Sequence, residues 1–368
     1  MCFEELQDAY GDSAPVTTKL AIELQERAWA LQDAGALDEA ADVCTRALRL
    51  IERTEGPDSA DAANLLNDLS AIEYERLKLH YALQRAQSAK RISDQWNCLT
   101  NDTTLTRIRG KTLELIGNLH RVFGNYESAE VVLLEAARNA EDAFGVNSHD
   151  LACAKNNLGV LYKFWGRFDD GLELYREALG CYETGSLESA QILHNIGGIL
   201  HAAGNASAGE QPAREAWLIT KSVLGAESNE AMLDAMAYAA ILDDLGEFEE
   251  AEDLYLAGLQ FFETRCGSGH YETAAIRHNL AGHRAAQGRF EEAEQNYRSA
   301  LKTKIDLIGP DCPDVAITEQ NLGALLHKLG RSDEGRDLLQ RAVSILAVRL
   351  KPNHPILLHA ISTLQEMT

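Results

Sequence analysis

A glycine returns along this chain at nearly constant intervals: Gly124, Gly166, Gly204, Gly246, Gly288 and Gly330, separated by 42, 38, 42, 42 and 42 residues. A second series, Gly145, Gly225, Gly267 and Gly309, follows 21 residues behind most members of the first. Self-similarity at this period describes small units stacked on their neighbours rather than one core around a centre. Such a stack points away from a buried catalytic cavity and toward a long binding surface.

Aligned on the glycine, each unit reads as two amphipathic helices. Residues 152–165 and 168–183 are the expected pair of one unit, with apolar residues at three- and four-residue steps. Gly166 lies between them, where a helix end favours a left-handed residue. Small residues recur seven before the glycine (Gly117, Gly159, Gly197, Ala239, Ala281, Gly323). They recur five after it (Ala129, Gly171, Gly209, Ala251, Ala293, Gly335) and twelve after it (Ala136, Ala178, Ala216, Gly258, Ala300, Ala342). Side chains this small let neighbouring helices approach closely, and a large one wedges the stack apart. An aromatic two after the glycine (Tyr126, Phe168, Phe248, Phe290) and a tyrosine nine after it (Tyr175, Tyr255, Tyr297) fill the space that remains.

This set resembles the tetratricopeptide repeat, in units lengthened from the usual 34 residues to 42. The stretches LACAKNNLGVLYKFWGRFDDGLELYREAL, AAIRHNLAGHRAAQGRFEEAEQNYRSALKTKIDLIGPDCPDVA and ITEQNLGALLHKLG are similar to the kinesin light chain subclass. The resemblance covers roughly residues 20–368 and speaks for architecture more than for function. Working backward, Gly35 with Ala28, Ala40 and Ala47 marks a first unit, and Leu77 with Ser70, Ala82 and Ala89 a degenerate second one. The expected fold is all-α: a right-handed superhelix of about eight helical hairpins with a capping helix. A non-repeat segment, 1–18, precedes an array at 19–353, with units near 19–58, 59–96, 107–149, 150–186, 187–228, 229–270, 271–312 and 313–353; the cap is 354–368.

Three departures interrupt the pattern. The step from Leu77 to Gly124 is 47 residues, with the polar stretch 97–106 as the insertion. The step from Gly166 to Gly204 is 38, which shortens the link between those units. Pro212 falls in an expected second helix, where it removes a hydrogen bond and clashes with the preceding turn. GNASAGEQP therefore predicts either a late start near Gln211 or a kink.

In a stack of such hairpins the first helices line the concave side. Nine residues before the glycine an amide recurs as Asn157, Asn195, Asn279 and Asn321, preceded by Asn156, His194, His278 and Gln320. Lys163, His201, His327 and Lys328 lie further along the same face; the third unit adds Lys111, Asn118 and Arg121, and the cap His359. Amides, imidazoles and a few cations satisfy the N–H and C=O groups of an extended peptide and attract its carboxylates. The resemblance implies the same, because the first-helix asparagine of tetratricopeptide proteins commonly contacts a bound peptide backbone. That role falls on Asn157, Asn195, Asn279 and Asn321 and not on the sixth unit, which has Ala237. The competing reading is that these asparagines only join neighbouring helices.

Composition narrows the partners. A formal net charge of −23 and the lack of any basic run argue against nucleic acid and anionic membrane surfaces. Much of that charge sits in FEEAEDLY, FEEAEQNY, YESAE and FDDG, acidic openings of second helices that suit the helix dipole. Seven scattered cysteines with no CxxC read as reduced, packed thiols. The first residues lack a basic start and apolar run, and no stretch approaches 18 apolar residues, so a cytoplasmic protein is expected. No metal and no cofactor is expected: His194 and His201 are seven apart, too far for one ion, and neither has a ligand one turn away. Catalytic motifs are missing, and Cys153 with Asn156 and Asn157 lacks a histidine in its own helix. The chain is expected to be a non-catalytic scaffold gripping a protein or peptide segment in its groove. The alternative is a regulator whose superhelix tightens on a small signalling peptide; with the first unit beginning by about residue 20, little room is left for a separate effector region.

Overall fold

The computed structural model describes residues 14–97 and 102–367. The segment 1–18, the stretch 97–106, the cap 354–368 and the thiols Cys2 and Cys98 therefore lie wholly or partly outside the described residues.

Among the described residues the chain forms seventeen helices and no strand. They pair in order: α1 (Ala14–Asp33) with α2 (Leu37–Thr54), α3 (Ala60–Glu75) with α4 (Leu79–Asn97), and α5 (Thr103–Val122) with α6 (Tyr126–Phe144). There follow α7 (His149–Trp165) with α8 (Phe168–Leu179), α9 (Leu187–Ala202) with α10 (Ala206–Leu224), and α11 (Asn229–Leu245) with α12 (Phe248–Cys266). The last pairs are α13 (Tyr271–Ala286) with α14 (Phe290–Ile308) and α15 (Pro313–Lys328) with α16 (Ser332–Arg349); α17 (Pro355–Glu366) stands alone. The helices group into two compact bodies, one of residues up to His120 with Glu127–Ala154, the other of Arg121–Tyr126 with Lys155 onward.

Each turn glycine of the first series is left-handed, with φ between +72° at Gly124 and +84° at Gly246. In the degenerate second unit Leu77 occupies the same conformation at φ +58°, the one left-handed residue other than glycine among the described residues. A branched side chain there costs about 1 kcal/mol or more. The second glycine series has positive φ too, joined by Gly56 and Gly185, and three residues after Gly56, Gly145 and Gly225 a serine opens the next first helix. The hydroxyls of Ser59, Ser148 and Ser228 accept from the amides of Ala62, Leu151 and Ala231, and Ser186 does the same for Ser189.

Within a hairpin the two helices meet at the small positions. A methyl built on Gly335 falls 2.6 Å from the Gly323 carbonyl, and one on Gly209 falls 2.8 Å from that of Gly197. Helix A and helix B therefore touch backbone to backbone, which only a missing or minimal side chain permits. In the second unit Ser70 takes the same place and donates to the Ala82 carbonyl at 2.9 Å. Tyr175, Tyr255 and Tyr297 are buried, as is Tyr126, whereas Phe248 at the place of Tyr126 is 37% exposed. Filling by that aromatic is thus not general along the chain.

Two irregularities differ from the sequence reading. The short step between Gly166 and Gly204 is not a shortened link: α8 ends at Leu179 after 12 residues, and the link 180–186 is longer than its counterparts. Gly180 and Gly185 lie in that stretch and make continuation as helix unfavourable. Nor does α10 start late. It runs from Ala206 through Pro212, its start fixed by Asn205, whose side chain accepts from the Ala208 amide. The cap offsets part of what the proline loses.

Candidate functional site

Successive first helices are joined by a polar seam of fixed register, counted back from each turn glycine. The residue at ten before meets the residue at nine before in the next unit. Gln25 donates to Asp68 at 2.5 Å, and the Asn195 amide donates to Asn156 Oδ1 at 2.7 Å. The Asn321 amide lies 3.3 Å from His278 Nε2. The residue at ten before also meets the one at twelve before in the next unit: Thr112 donates to Asn67 at 2.9 Å, His194 Nδ1 bonds Asp234 at 2.7 Å, and His278 Nδ1 lies 3.0 Å from Thr318 Oγ1. At three before, the partner stands two before the next turn: Gln32 donates to Glu75 at 2.6 Å and His201 Nε2 bonds Asp244 at 2.9 Å. Arg121 makes the same step by laying its guanidinium 4.7 Å from the centre of the Phe164 ring.

These bonds place most of the expected site residues. Asn156 and Gln320 are buried, and the Gln320 carbonyl oxygen has no partner. Asn195 and Asn321 are half-buried and already engaged with a neighbouring helix. His194, His201 and His278 are likewise bound into the seam. Burial, reinforced by the Lys304 ammonium, pushes the His278 imidazole down to about 3, so it is neutral. His327 bonds Ser332 at 3.0 Å in its own hairpin, and Lys328 and Lys111 are exposed. Asn118 and Asn157 are half-buried on the same helix faces. Asn279 is half-buried and makes no hydrogen bond from its side chain to another described residue. Asn195 and Asn321 thus join neighbouring helices, which Asn279 does not do by any hydrogen bond among the described residues.

Lys163 stands apart. Its register partner is Ala202, whose methyl accepts nothing, and no carboxylate among the described residues lies within ion-pair distance of Lys163 or Arg121. The Lys163 ammonium lies 5.3 Å from the Phe164 ring centre, and a methyl on Gly198 would sit 3.2 Å from Nζ. Burial, with the Arg121 charge nearby, pushes the lysine down to about 8. Arg121 Nε and the Tyr175 hydroxyl are also buried without partners. Two cations thus flank Phe164, which is 42% exposed, and neither is paired with a carboxylate among the described residues. A carboxylate is the group that this arrangement lacks.

Sequence reading missed three features. His283 is fully buried, bonded through Nδ1 to Asp243 at 2.7 Å across two units and through Nε2 to the Gln287 amide at 2.9 Å. Glu114 takes the ten-before position of the third unit, where burial, with Asp150 beside it, pushes its carboxyl up to about 7. Cys153 does have a histidine in its own helix: His149, one turn earlier in α7, places Nε2 3.4 Å from the thiol. The expectation that it lacked one fails because α7 starts three residues earlier than the pattern suggested. Among the described residues no group of three or more His, Cys, Asp or Glu is placed to hold a metal ion, and no helix is long and apolar enough to cross a membrane.

Profiles described as tetratricopeptide repeat match residues 109–184, 231–306 and 272–347, and a second set with the same description matches 24–61 and 189–230. The protein KINESIN LIGHT CHAIN-RELATED 2 of Arabidopsis thaliana is 27% identical over 212 residues, 55% of this chain and 30% of that protein. The chain therefore spans under a third of the length of that curated relative. The apo quorum sensor NprR of B. thuringiensis is similar in fold, with a TM-score of 0.60 at 12% identity, covering 94% of this chain and 92% of the other. The Rap conjugation gene regulator of the plasmid pLS20, solved with the Phr* peptide, has a TM-score of 0.61 at 13% identity over 77% of this chain and 73% of the other. Repeated turn glycines, backbone-tight hairpins and matching profiles over more than half its length converge: this chain belongs to the tetratricopeptide repeat family, with 42-residue units of the kinesin light chain type.

Proposed function

We propose that the chain is a non-catalytic protein-interaction scaffold. In its second body the first-helix face holds an extended or helical segment of a partner protein. One observation carries the reading: Lys163 and Arg121, half-buried around the exposed Phe164 ring, have no counter-charge among the described residues. An acidic side chain of the partner completes that pocket, an apolar neighbour packs on Phe164, and the Asn279 amide pairs with backbone further along. The family membership and the names of the peptide-bound fold neighbours support a polypeptide occupant.

The test is a titration of fluorescent peptides that carry an acidic residue beside an aromatic one, against counterparts with lysine in place of the acid. Acidic peptides bind and basic ones do not. Lys163→Ala weakens the complex about tenfold or more, and Lys163→Arg retains it, as expected for a desolvated charge contact. Equal binding of both peptide classes, or affinity unmoved by Lys163→Ala, contradicts the reading. A single stable protein recovered by affinity purification supports a scaffold. Tight binding of short free peptides with a change in compactness by X-ray scattering supports the alternative, a peptide-sensing regulator.

A further inference from the structure

Among the seven turn glycines (Gly35 and the six of the first series), Gly35, Gly204, Gly246, Gly288 and Gly330 face open space: a methyl built on any of them meets nothing within 4 Å. Gly124 and Gly166 do not. Both are covered, and both by the end of α16 and the segment that leads from it to α17, some two hundred residues further along the chain and in the same compact body. Arg349 passes over Gly124, with its Cδ 2.9 Å from where a methyl would stand, and donates from Nη1 to Asn125 Oδ1 at 3.0 Å. Lys351 puts its ammonium 4.2 Å from the centre of the Trp165 ring. His354 lies over Gly166, its Cδ2 2.6 Å from the methyl position, and meets Phe168 edge to face at 5.9 Å between ring centres.

The surface beneath this segment is a built seat. Tyr126 and Trp165 pack together at 6.1 Å between centroids and are buried, as is His354. Phe248, in the repeat position of Tyr126 and Phe168 but without a covering segment, remains exposed. His354 is held in place from its own side as well, since its Nδ1 accepts from the Ile356 amide and caps α17. Glycine at 124 and 166 thus does two things: it makes the turn, and it leaves room for a side chain from far along the array.

We propose that residues 349–354 form an intramolecular strap that docks on the turns at Gly124 and Gly166 and fixes the span from those turns to the end of α16. A cation over an aromatic face, a guanidinium on a loop amide and one buried imidazole make a contact small enough to release and specific enough to set a distance. While the strap is seated, the first-helix face between those turns and α16 has a fixed width. Release lets the helical stack relax, and an occupant too wide for the seated form binds only after release. The proposal does not depend on which partner the groove takes.

Arg349→Ala with Lys351→Ala tests it, because both side chains act at the seat and neither is in the hairpin core. X-ray scattering of the full chain is expected to show a larger radius of gyration and maximum dimension than wild type. Hydrogen exchange should become faster at 121–126 and 164–168, with far-UV circular dichroism unchanged. Asn125→Ala attacks the same contact from the opposite side without touching α16 or α17, and is expected to move scattering and exchange in the same direction by less. Arg349→Lys with Lys351→Arg, which keeps both charges, should restore most of the protection. If the double variant and Asn125→Ala both scatter and exchange as wild type does, the strap is overturned. It is overturned equally if the double variant loses helicity while Asn125→Ala leaves dimensions and protection untouched, since the contact would then be structural packing only.

Discussion

Positions along the first-helix seam bury a different balance of titratable groups in the two bodies. In the first body those positions carry Asp68, Glu75 and Glu114, each held with its carboxyl above the ordinary range by burial. In the second they carry His278, pushed down to about 3, and Lys163, pushed down to about 8, again by burial, beside Asp243 and Glu319, whose carboxyls burial raises. The seam register is the same in both: Gln25 to Asp68 in one repeats Asn195 to Asn156 in the other. The backbone geometry of the repeat therefore sets where polar groups meet, while the residue placed there sets which charge is disfavoured. A tetratricopeptide array can thus vary its preference along its length without altering a single hairpin contact.

The hairpin contact is where the largest effect lies. Gly335→Val drives a side chain into the Gly323 carbonyl and is expected to cost about 3 kcal/mol or more, read as a lowered midpoint in denaturant. A variant as stable as wild type would break the claim that the helices meet backbone to backbone. The different balance of buried groups in the two bodies comes next. Carboxyls raised in the folded state keep protons that the unfolded chain has lost, so the first body loses stability as pH rises from about 4.5 to 7. Imidazoles lowered in the folded state do the reverse. His278, and His354 at about 4, weaken the second body as pH falls below 6.5 toward those values. Lowered His120 in the first body and raised Asp243 and Glu319 in the second oppose these trends, so denaturation of tryptophan-to-phenylalanine variants across pH 4.5–6.5, with Trp29 and Trp96 reporting on the first body and Trp165 and Trp217 on the second, should give a more positive slope for the second. Parallel slopes would remove the contrast.

Smaller effects sharpen it. Asn195→Ala breaks a joint between units and should destabilise by about 1 kcal/mol, whereas Asn279→Ala should leave stability within about 0.5 kcal/mol and affect only binding. Thermal melts of the two variants decide this. Leu77→Gly relieves a left-handed leucine and should raise stability by somewhat less than about 1 kcal/mol, since glycine returns part of the gain as chain entropy.

The fold was legible because its signals are local and repeated. Turn glycines, small residues at fixed offsets and helical periodicity each constrain backbone that they themselves occupy, and even Leu77 was found by spacing alone. The irregular units were read less well. Pro212 predicts either a late helix start or a kink; the Asn205 cap fixes the start at Ala206 and removes the first of these. The site was half legible. Periodicity located the amide row, yet whether Asn195 or Asn279 is free depends on what the next unit offers opposite, which is a pairing across some forty residues. Lys163 shows the same logic: a lysine in sequence becomes an unpaired cation only because Ala202 stands where other units place an acceptor. The strap on Gly124 and Gly166 lay further out of reach, since nothing within a repeat predicts contact with residues two hundred positions away.

The most direct test of the central claim is a hydrogen-exchange footprint of the chain bound to a partner recovered by affinity purification. The account predicts slowed exchange on α7, α9, α13 and α15, strongest around Lys163, with the even-numbered helices unchanged. Protection confined to the even-numbered helices would contradict it.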